Sequence, residues 1–214
     1  MIKAVLFDFD GTIFDTNKLI IESWQEVFRT MTGKEGDVDK IKATFGEPLL
    51  ITMERWFPGE SERLVKIYRE YQKDIYFKMI EAYPGMPELI KKLKALGYMN
   101  AVVTSRLTSS TINTLEKFDL TKYFDVIVTC DDTDKHKPDP EPALVALRKL
   151  GISADEAVMI GDSHFDVLCA QNAGVKAVLV GWSEAAAVTL GGGEIDYKPD
   201  YIIEKAEDLI DIIK

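Results

Sequence analysis

Carboxylates and hydroxyls directly follow two short apolar runs of the sequence. Asp8 and Asp10 come after the run AVLF, and the run AVVT ends in Thr104, which is followed by Ser105. A carboxylate beside an apolar core costs free energy unless it is paired or bound to a metal ion. These acids are therefore candidates for chemistry, and the neighbouring hydroxyls are suited to hold the oxygens of a phosphate group.

A lysine and further acids follow two later apolar runs. Lys137 comes after the run VIVT, and Asp162 follows the run AVMI, with Asp166 on the same face of the next helix. If the ends of these runs meet, each like-charged carboxylate pair at about 4 Å repels by about 4 kcal/mol at an effective dielectric of about 20. A hard divalent cation removes that cost. Ligation by a few carboxylate oxygens suits Mg²⁺, so we predict a magnesium site built from Asp8, Asp10 and Asp162.

The same residues could carry out phosphoryl transfer. One carboxylate can attack phosphorus and form an aspartyl-phosphate. A second carboxyl group can protonate the leaving group and later activate water. Thr104 and Ser105 can hold phosphate oxygens, and Lys137 can neutralise negative charge in the transition state.

Each of these residues has a plainer interpretation when it is taken alone. Asp8 and Asp10 could be turn residues, Thr104 could cap a helix, and Asp162 could cap the helix that follows it. Lys137 could be a solvated loop lysine. Complementary chemistry at four run ends favours a shared site, because ligands of open parallel α/β sheets bind at the carboxyl ends of the strands.

Apolar runs separated by helical patterns predict the fold class. Most of the runs are rich in valine, which is typical of strands buried on both faces of a parallel sheet. They are AVLF at 4–7, AVVT at 101–104, VIVT at 126–129, AVMI at 157–160, AVLV at 177–180 and YII at 201–203. Strands that alternate with helices predict a doubly wound α/β domain with a mostly parallel, Rossmann-like sheet.

Residues 16–82 interrupt this alternation. The segment contains no valine-rich run, and the turn signal AYPGMP marks its end. Its helical patterns lie near 16–31, 38–45, 48–57 and 61–80. We predict a helical cap at 16–82, inserted after the first strand, and a core domain made of residues 1–15 and 83–214.

One core helix is predicted from its apolar face. In PELIKKLKALG the residues Leu89, Ile90, Leu93 and Leu96 recur at helical spacing, and Gly97 follows as a C-terminal stop. The pattern predicts a helix that packs these four side chains against the sheet.

Other helix ends are predicted from capping residues. In DPEPALVALRKLG we expect Asp139 as the N-cap, Pro140 at the first helical position and Gly151 after the end. Asp15 is expected to cap or hinge the first cap helix and not to touch phosphorus. The run GGG at 191–193 is expected to form a surface turn.

The charge balance narrows the range of partners. The chain has 26 lysines and arginines against 36 acids, a formal net charge of −10 that disfavours nucleic acid or an anionic membrane as partner. A small anionic substrate stays compatible if a cation and local lysines oppose this field. Because neither a membrane span nor a signal peptide is recognised, we expect a cytoplasmic protein, monomeric or dimeric, with Cys130 and Cys169 reduced.

Two further residues lie beside these motifs. His164 is expected to lie outside the direct ligands or at the surface, because Mg²⁺ prefers oxygen to imidazole. Arg106 follows the hydroxyl pair, and it could either contact substrate or lie at the surface where a helix begins.

The segments LFDFDGT, VVTSR, KPDPEP and IGDSHFD together resemble the haloacid dehalogenase (HAD) superfamily of phosphohydrolases. The helical insertion resembles the cap of the phosphoglycolate-phosphatase-like branch of that family. The resemblance implies that Asp8 is the nucleophile and a metal ligand. It also implies that Asp10 is the acid/base and binds Mg²⁺ through its backbone carbonyl.

The same resemblance implies roles for four more residues. Thr104 would bind phosphate, and Lys137 would stabilise the intermediate. Asp162 would complete the metal site, and Asp166 would support Lys137 or a metal-bound water.

Longer segments resemble one subgroup, the PpaX-type inorganic pyrophosphatases. They are FDTNKLIIESW, FDVIVTCDDTDKHKPDPEP, GDSHFDVLCAQNAGVKAVLVGWS and YKPDYII. This resemblance implies hydrolysis of inorganic pyrophosphate, with phosphoglycolate or another small phosphomonoester as the alternative substrate and a β-phosphoglucomutase-like mutase as a third option. A dehalogenase needs no acid at the position of Asp10, and a binding module would be expected to have lost a catalytic residue, so both are disfavoured.

Overall fold

The chain forms a sheet flanked by helices, in a computed structural model that describes residues 1–45, 47–191 and 198–214. The strands are β1 (Ala4–Phe7), β2 (Phe14–Asp15), β3 (Glu81–Ala82), β4 (Met99–Val103), β5 (Val126–Val128), β6 (Ala157–Gly161), β7 (Lys176–Val180) and β8 (Tyr201–Ile203). The helices are α1 (Asn17–Thr32), α2 (Val38–Lys42), α3 (Leu49–Trp56), α4 (Ser61–Met79), α5 (Met86–Ala95), α6 (Thr108–Lys117), α7 (Glu141–Leu150), α8 (His164–Asn172), α9 (Glu184–Gly191) and α10 (Leu209–Ile213).

Six strands form one parallel sheet in the order β5-β4-β1-β6-β7-β8. Strand β1 lies inside the sheet, where Ala4 pairs with Met99 of β4 on one side and with Ala157 of β6 on the other. This arrangement confirms the predicted doubly wound α/β fold. It also places the carboxyl ends of β1, β4 and β6 next to one another.

The side chains of β1 alternate between two apolar layers. Val5 and Phe7 are fully buried in a layer that includes residues of α5 and α10. Ala4 and Leu6 are fully buried in the opposite layer, which includes residues of α7 and α8. Because both faces of the strand are covered by helices, its sequence is a continuous apolar run.

Helices α1–α4 pack around an apolar cluster that also includes Ala185 of α9. Trp24 lies at its centre, with its ring centroid 4.7 Å from that of Trp56 and 5.7 Å from that of Tyr68. The chain enters and leaves this helical unit through a two-stranded antiparallel ribbon that pairs Phe14 with Ala82. We propose this ribbon as the junction between the cap at 16–82 and the core.

The structure corrects two predicted helix ends by about one residue. Helix α7 begins at Glu141, so Pro140 is the N-cap, whereas Asp139 still accepts the backbone N–H of Glu141 at 3.0 Å. Helix α5 ends at Ala95, which leaves Leu96 at the C-cap and 58% exposed. The assignment of Leu96 to the buried face was therefore wrong, although its backbone N–H still bonds the carbonyl of Lys92 at 2.9 Å.

The other predicted ends agree with the structure where it describes them. Gly97 and Gly151 follow their helices with positive φ, as a C-terminal glycine does. Asp15 accepts the backbone N–H of Asn17, the first residue of α1, at 3.0 Å. Gly191 is the last residue of α9, and the remainder of the GGG run lies outside the described residues.

Both cysteines are free thiols, as predicted, with Cys169 buried and Cys130 half-buried. Across the described ranges, every helix is too short or too polar to cross a membrane.

Leu93 and Leu96 provide a matched test of how α5 packs. We expect Leu93→Ala to lower the free energy of unfolding by about 2–5 kcal/mol, because Leu93 is fully buried and the change leaves a cavity. Leu96→Ala, on the same helix but exposed, should change it by no more than about 0.5 kcal/mol. Urea unfolding followed by circular dichroism measures both, and equal effects would contradict the packing described for α5.

Candidate active site

Asp8 lies at the carboxyl end of the central strand. Its backbone N–H donates to the carbonyl of Ile160 at 2.8 Å, which extends the pairing with β6 by one residue. The carboxylate is 7% exposed, and its Oδ1 accepts a hydrogen bond from Lys137 Nζ at 2.5 Å. Strand geometry therefore fixes the backbone of Asp8, while a cation approaches its side chain.

Lys137 lies between two buried carboxylates. Its Nζ is 2.5 Å from Asp8 Oδ1 and 2.6 Å from Asp166 Oδ1, and its side chain is 3% exposed. Burial alone would lower the pKa of Lys137, but Asp166 and Asp8 raise it above the ordinary lysine value. The ammonium group therefore stays charged and holds the two acids together.

Asp166 is fixed by the turn before α8. Its Oδ2 accepts the hydroxyl of Ser163 at 2.6 Å and the backbone N–H of Ser163 at 3.1 Å. The sequence predicted support of Lys137 by Asp166, and the geometry places Asp166 in direct contact with that lysine.

Asp162 lies next to this ion pair with no lysine or arginine bonded to it among the described residues. It is 6% exposed, and its Oδ2 accepts the hydroxyl of Ser183 at 2.6 Å. Burial is the main cause that raises the pKa of Asp162 well above its ordinary value, and the charges of Asp166 and Asp8 raise it further. Ionised Asp162 is thus unfavourable unless a cation is bound.

The same factors act on Asp8. Burial raises the pKa of Asp8 to about 7, Lys137 opposes this shift, and Asp166 adds to it. Two neighbouring carboxyl groups therefore both retain protons more readily than in water. This is the electrostatic signature of a site that a divalent cation would stabilise.

Three carboxylates are arranged so that they could hold a metal ion. One oxygen from each of Asp8, Asp162 and Asp166 lies within 4.8 Å of the other two. Buried carboxylate oxygens in a small cluster fit the chemistry of Mg²⁺. The carboxylate of Asp10, which the sequence placed among the ligands, is not in this group; the family resemblance implies that Asp10 would bind through its backbone carbonyl.

The loop after β1 passes close to these acids. A Cβ atom on Gly11 would lie 1.7 Å from Asp162 Oδ2, and Gly11 has φ of +76°. Glycine is therefore the residue that lets the backbone approach the carboxylate in this conformation.

Asp10 is paired with Arg106. Arg106 Nη1 donates to Asp10 Oδ1 at 2.7 Å, and Nη2 donates to the hydroxyl of Tyr76 in α4 at 2.5 Å. The guanidinium also lies 5.1 Å from the ring centroid of Phe9. The side chain of Arg106 is 13% exposed. This burial rules out the interpretation that Arg106 lies at the surface where a helix begins.

The two hydroxyl residues after β4 lie in the same place. Thr104 and Ser105 line one cavity together with Asp8, Asp10 and Lys137. Thr104 is 5% exposed. The structure thus brings all the predicted phosphate-binding and catalytic side chains to one pocket.

This cavity has a volume of about 530 Å³. Its floor is the acid cluster at the ends of β1 and β6, and its upper wall comes from the cap, including Trp24, Tyr68 and Tyr76. His164, the first residue of α8, is half-buried, and burial lowers its pKa. His164 is not among the described residues that line the cavity.

Sequence reasoning missed two side chains that hold the site in place. Ser183 follows β7 and donates its hydroxyl to Asp162. The sequence did contain a signal for it, because Ser183 is a polar residue that follows the fifth apolar run, AVLV. Tyr76 contacts Arg106 from the cap, and no local pattern in the sequence indicates that contact.

Comparison with known proteins agrees with this geometry. The model of the haloacid dehalogenase-like hydrolase family matches residues 5–180. A protein of Caldanaerobacter subterraneus subsp. tengcongensis is 41% identical over 213 residues, which cover 100% of this chain and 95% of that protein. A relative from Halalkalibacterium halodurans, named pyrophosphatase PpaX, is 37% identical over 99% of this chain and 97% of its own.

A solved structure shows the same fold. The haloacid dehalogenase-like family hydrolase SP0104 of Streptococcus pneumoniae superposes with a TM-score of 0.86 at 24% identity, over 100% of this chain and 99% of that one. Together, the matched family model, the full-length relatives and the shared fold assign the chain: it belongs to the haloacid dehalogenase-like hydrolase family, as an enzyme of the phosphatase and pyrophosphatase kind.

Proposed function

We propose that the protein is a Mg²⁺-dependent phosphohydrolase that works through an aspartyl-phosphate intermediate. Inorganic pyrophosphate is the substrate that we favour. The observation that carries the proposal is a pair of buried ion pairs, in which Lys137 contacts both Asp8 and Asp166. Asp162 lies beside them. A nucleophilic carboxylate, a fixed cation and a place for a metal ion are the parts that phosphoryl transfer requires.

In the first step, a carboxylate oxygen of Asp8 attacks phosphorus. A bond forms between that oxygen and phosphorus, and the bond from phosphorus to the leaving oxygen breaks. Lys137, 2.5 Å from Asp8, neutralises the charge that develops on the transferred group. Thr104 and Ser105, at the end of β4, bind the phosphoryl oxygens.

Asp10 supplies and removes the proton. Arg106 holds its Oδ1 at 2.7 Å, which leaves Oδ2 to protonate the leaving oxygen. In the second step the same carboxylate takes a proton from water, the water oxygen bonds to phosphorus, and the bond to Asp8 breaks. Free phosphate and the original carboxylate are restored.

Mg²⁺ would be held by Asp8 and Asp162, with Asp166 within reach. When bound, it would supply positive charge to the phosphoryl oxygens and remove the repulsion between these acids.

The substrate assignment rests on the relatives and on charge. The relative from Halalkalibacterium halodurans carries the name pyrophosphatase PpaX, and it aligns along 99% of this chain. Phosphoglycolate or another small phosphomonoester is the alternative, since the core chemistry would be the same. A β-phosphoglucomutase-like mutase is a less favoured third candidate, because an aspartate pair serves that reaction as well.

Replacement of the proposed nucleophile is the direct test of the mechanism. Asp8→Asn should lower phosphate release from pyrophosphate by a factor on the order of 10⁴ or more, because the amide cannot attack phosphorus. The far-ultraviolet circular dichroism spectrum should not change, since Asn fills the same space.

Asp15→Asn is the matched control. Asp15 follows the same strand but bonds the backbone N–H of Asn17 at 3.0 Å, and Asn is also an effective capping residue. It should retain phosphate release within about twofold of the original enzyme. Full turnover by Asp8→Asn, or an equal loss in both variants, would refute the assignment.

Removal of the metal ion tests the cofactor. Phosphate release should stop in EDTA and return on addition of Mg²⁺ in excess. Calorimetry should show Mg²⁺ binding to the protein without substrate, because the acid cluster is present before substrate arrives. Unchanged turnover in EDTA would overturn the metal dependence.

Asp162→Asn separates stability from metal binding. In EDTA it should raise the midpoint of thermal unfolding by about 2–4 °C, because one of the buried like charges is removed and Asn can still accept the bond from Ser183. The stabilisation that Mg²⁺ gives to the original protein should disappear. Differential scanning calorimetry measures both, with the exposed Asp211→Asn as control, and a lower midpoint with an intact Mg²⁺ response would contradict this account.

A further inference from the structure

Two cationic side chains of α4 line the upper part of the active-site cavity. Arg69 and Lys73 are exposed residues of that helix, and both belong to the cavity wall. Within the described part of the chain neither makes an ion pair, although the chain has 36 acids. In a chain of net charge −10, side chains that make no ion pair within the described residues are available to an anion that enters the cavity.

Helical spacing places these cations relative to the catalytic residues. Lys73 is three residues before Tyr76 and Arg69 is seven before it, so all three lie on one face of α4. Tyr76 bonds Arg106, which bonds Asp10. Lys73 is thus one helical turn, about 5 Å along the axis, from the residue that contacts the proposed proton donor.

A further part of the cavity wall is polar and comes from α6. Ser109, Ser110 and Asn113 line it with short hydroxyl and amide side chains. Arg69 lies near the start of this helix. The pKa of Asp131 is lowered mainly by hydrogen bonds from Thr108, and the charge of Arg69 contributes to the same shift.

We infer that Arg69 and Lys73 of α4, with Ser109, Ser110 and Asn113 of α6, form a second anion subsite beside the catalytic phosphate position. The enzyme would then prefer substrates that carry an additional anionic group on the leaving side, as a diphosphate or a phosphorylated carboxylate does. This inference rests on the proposed function, and it adds which residues recognise the part of the substrate that does not react.

The cations of the cavity lie in two places, Lys137 at the acid cluster and Arg69 and Lys73 on α4. The reacting phosphoryl group is held at the floor, where Lys137 and a metal ion oppose its charge. A second anionic group would point into the remaining volume, where Arg69 and Lys73 of α4 are the lining cations that make no ion pair among the described residues. Charge-assisted hydrogen bonds from these side chains would stabilise it.

The test compares two substrates in matched variants. Arg69→Met and Lys73→Met should each raise KM for pyrophosphate about tenfold, the effect of losing one charge-assisted bond at a partly exposed site. The KM for p-nitrophenyl phosphate, whose leaving side carries no second phosphate, should change by less than about twofold, and kcat should change little for both substrates.

Lys78→Met is the matched control. Nine residues separate Lys78 from Arg69, which is two and a half turns, so Lys78 lies on the opposite face of the same helix. The Lys78→Met substitution removes the same charge as the other two substitutions, and it should leave the KM values for both substrates unchanged. Equal losses for the two substrates, or equal losses in all three variants, would overturn the subsite.

A binding measurement distinguishes failure of this inference from failure of the proposed function. Isothermal titration calorimetry with Asp8→Asn in Mg²⁺ should show pyrophosphate binding more tightly than inorganic phosphate, and Arg69→Met in that background should remove most of the difference. If no substrate is hydrolysed by the original enzyme, the proposed function fails, and this comparison still decides the subsite. If hydrolysis occurs but the two ligands bind equally, the subsite fails and the phosphatase stands.

Discussion

The burial of three carboxylates at the ends of two neighbouring strands is the constraint on which the rest of the structure depends. Asp8, Asp162 and Asp166 are each no more than 7% exposed, and their oxygens lie within 4.8 Å of one another. Such a cluster is unstable by itself, because burial and mutual repulsion both oppose ionisation. Lys137 offsets part of this cost by bonding two of the three acids, whereas Asp162 bonds no lysine or arginine among the described residues and could help to hold a metal ion.

The parallel sheet is what makes this cluster possible. Strands β1 and β6 pair directly, with Phe7 opposite Ile160, so the residues that follow them leave the sheet at the same edge. Helices cover both faces of the sheet, and the three acids line the cavity at that edge. Gly11 then lets the loop after β1 fold back against Asp162, where any side chain would collide with the carboxylate. The tight backbone and the shared edge together keep the acids close.

Much of this could be predicted from the sequence, because the strands and their polar ends are local signals. The six apolar runs became strands within two residues of the predicted bounds, and the polar residues that follow four of them line one cavity. Leu96 shows where local signals fail: its spacing suited a helical face, but it lies at the C-cap of α5 and is exposed. The sequence left open whether Arg106 faces the cavity or the surface, because its partners Asp10 and Tyr76 are 96 and 30 residues away in the chain.

The contact through Arg106 joins α4, in the proposed cap, to the side chain of Asp10 in the cavity. One guanidinium bonds a core carboxylate at 2.7 Å and a cap hydroxyl at 2.5 Å, so the position of α4 and the position of Asp10 are coupled. On the proposed mechanism, a shift of α4 would change both the side chains that face the leaving group and the support of Asp10. The proposed substrate contacts in the cap and the proposed proton transfer in the core would therefore be linked through Arg106, whereas the side-chain bonds of the acid cluster among the described residues all come from core residues.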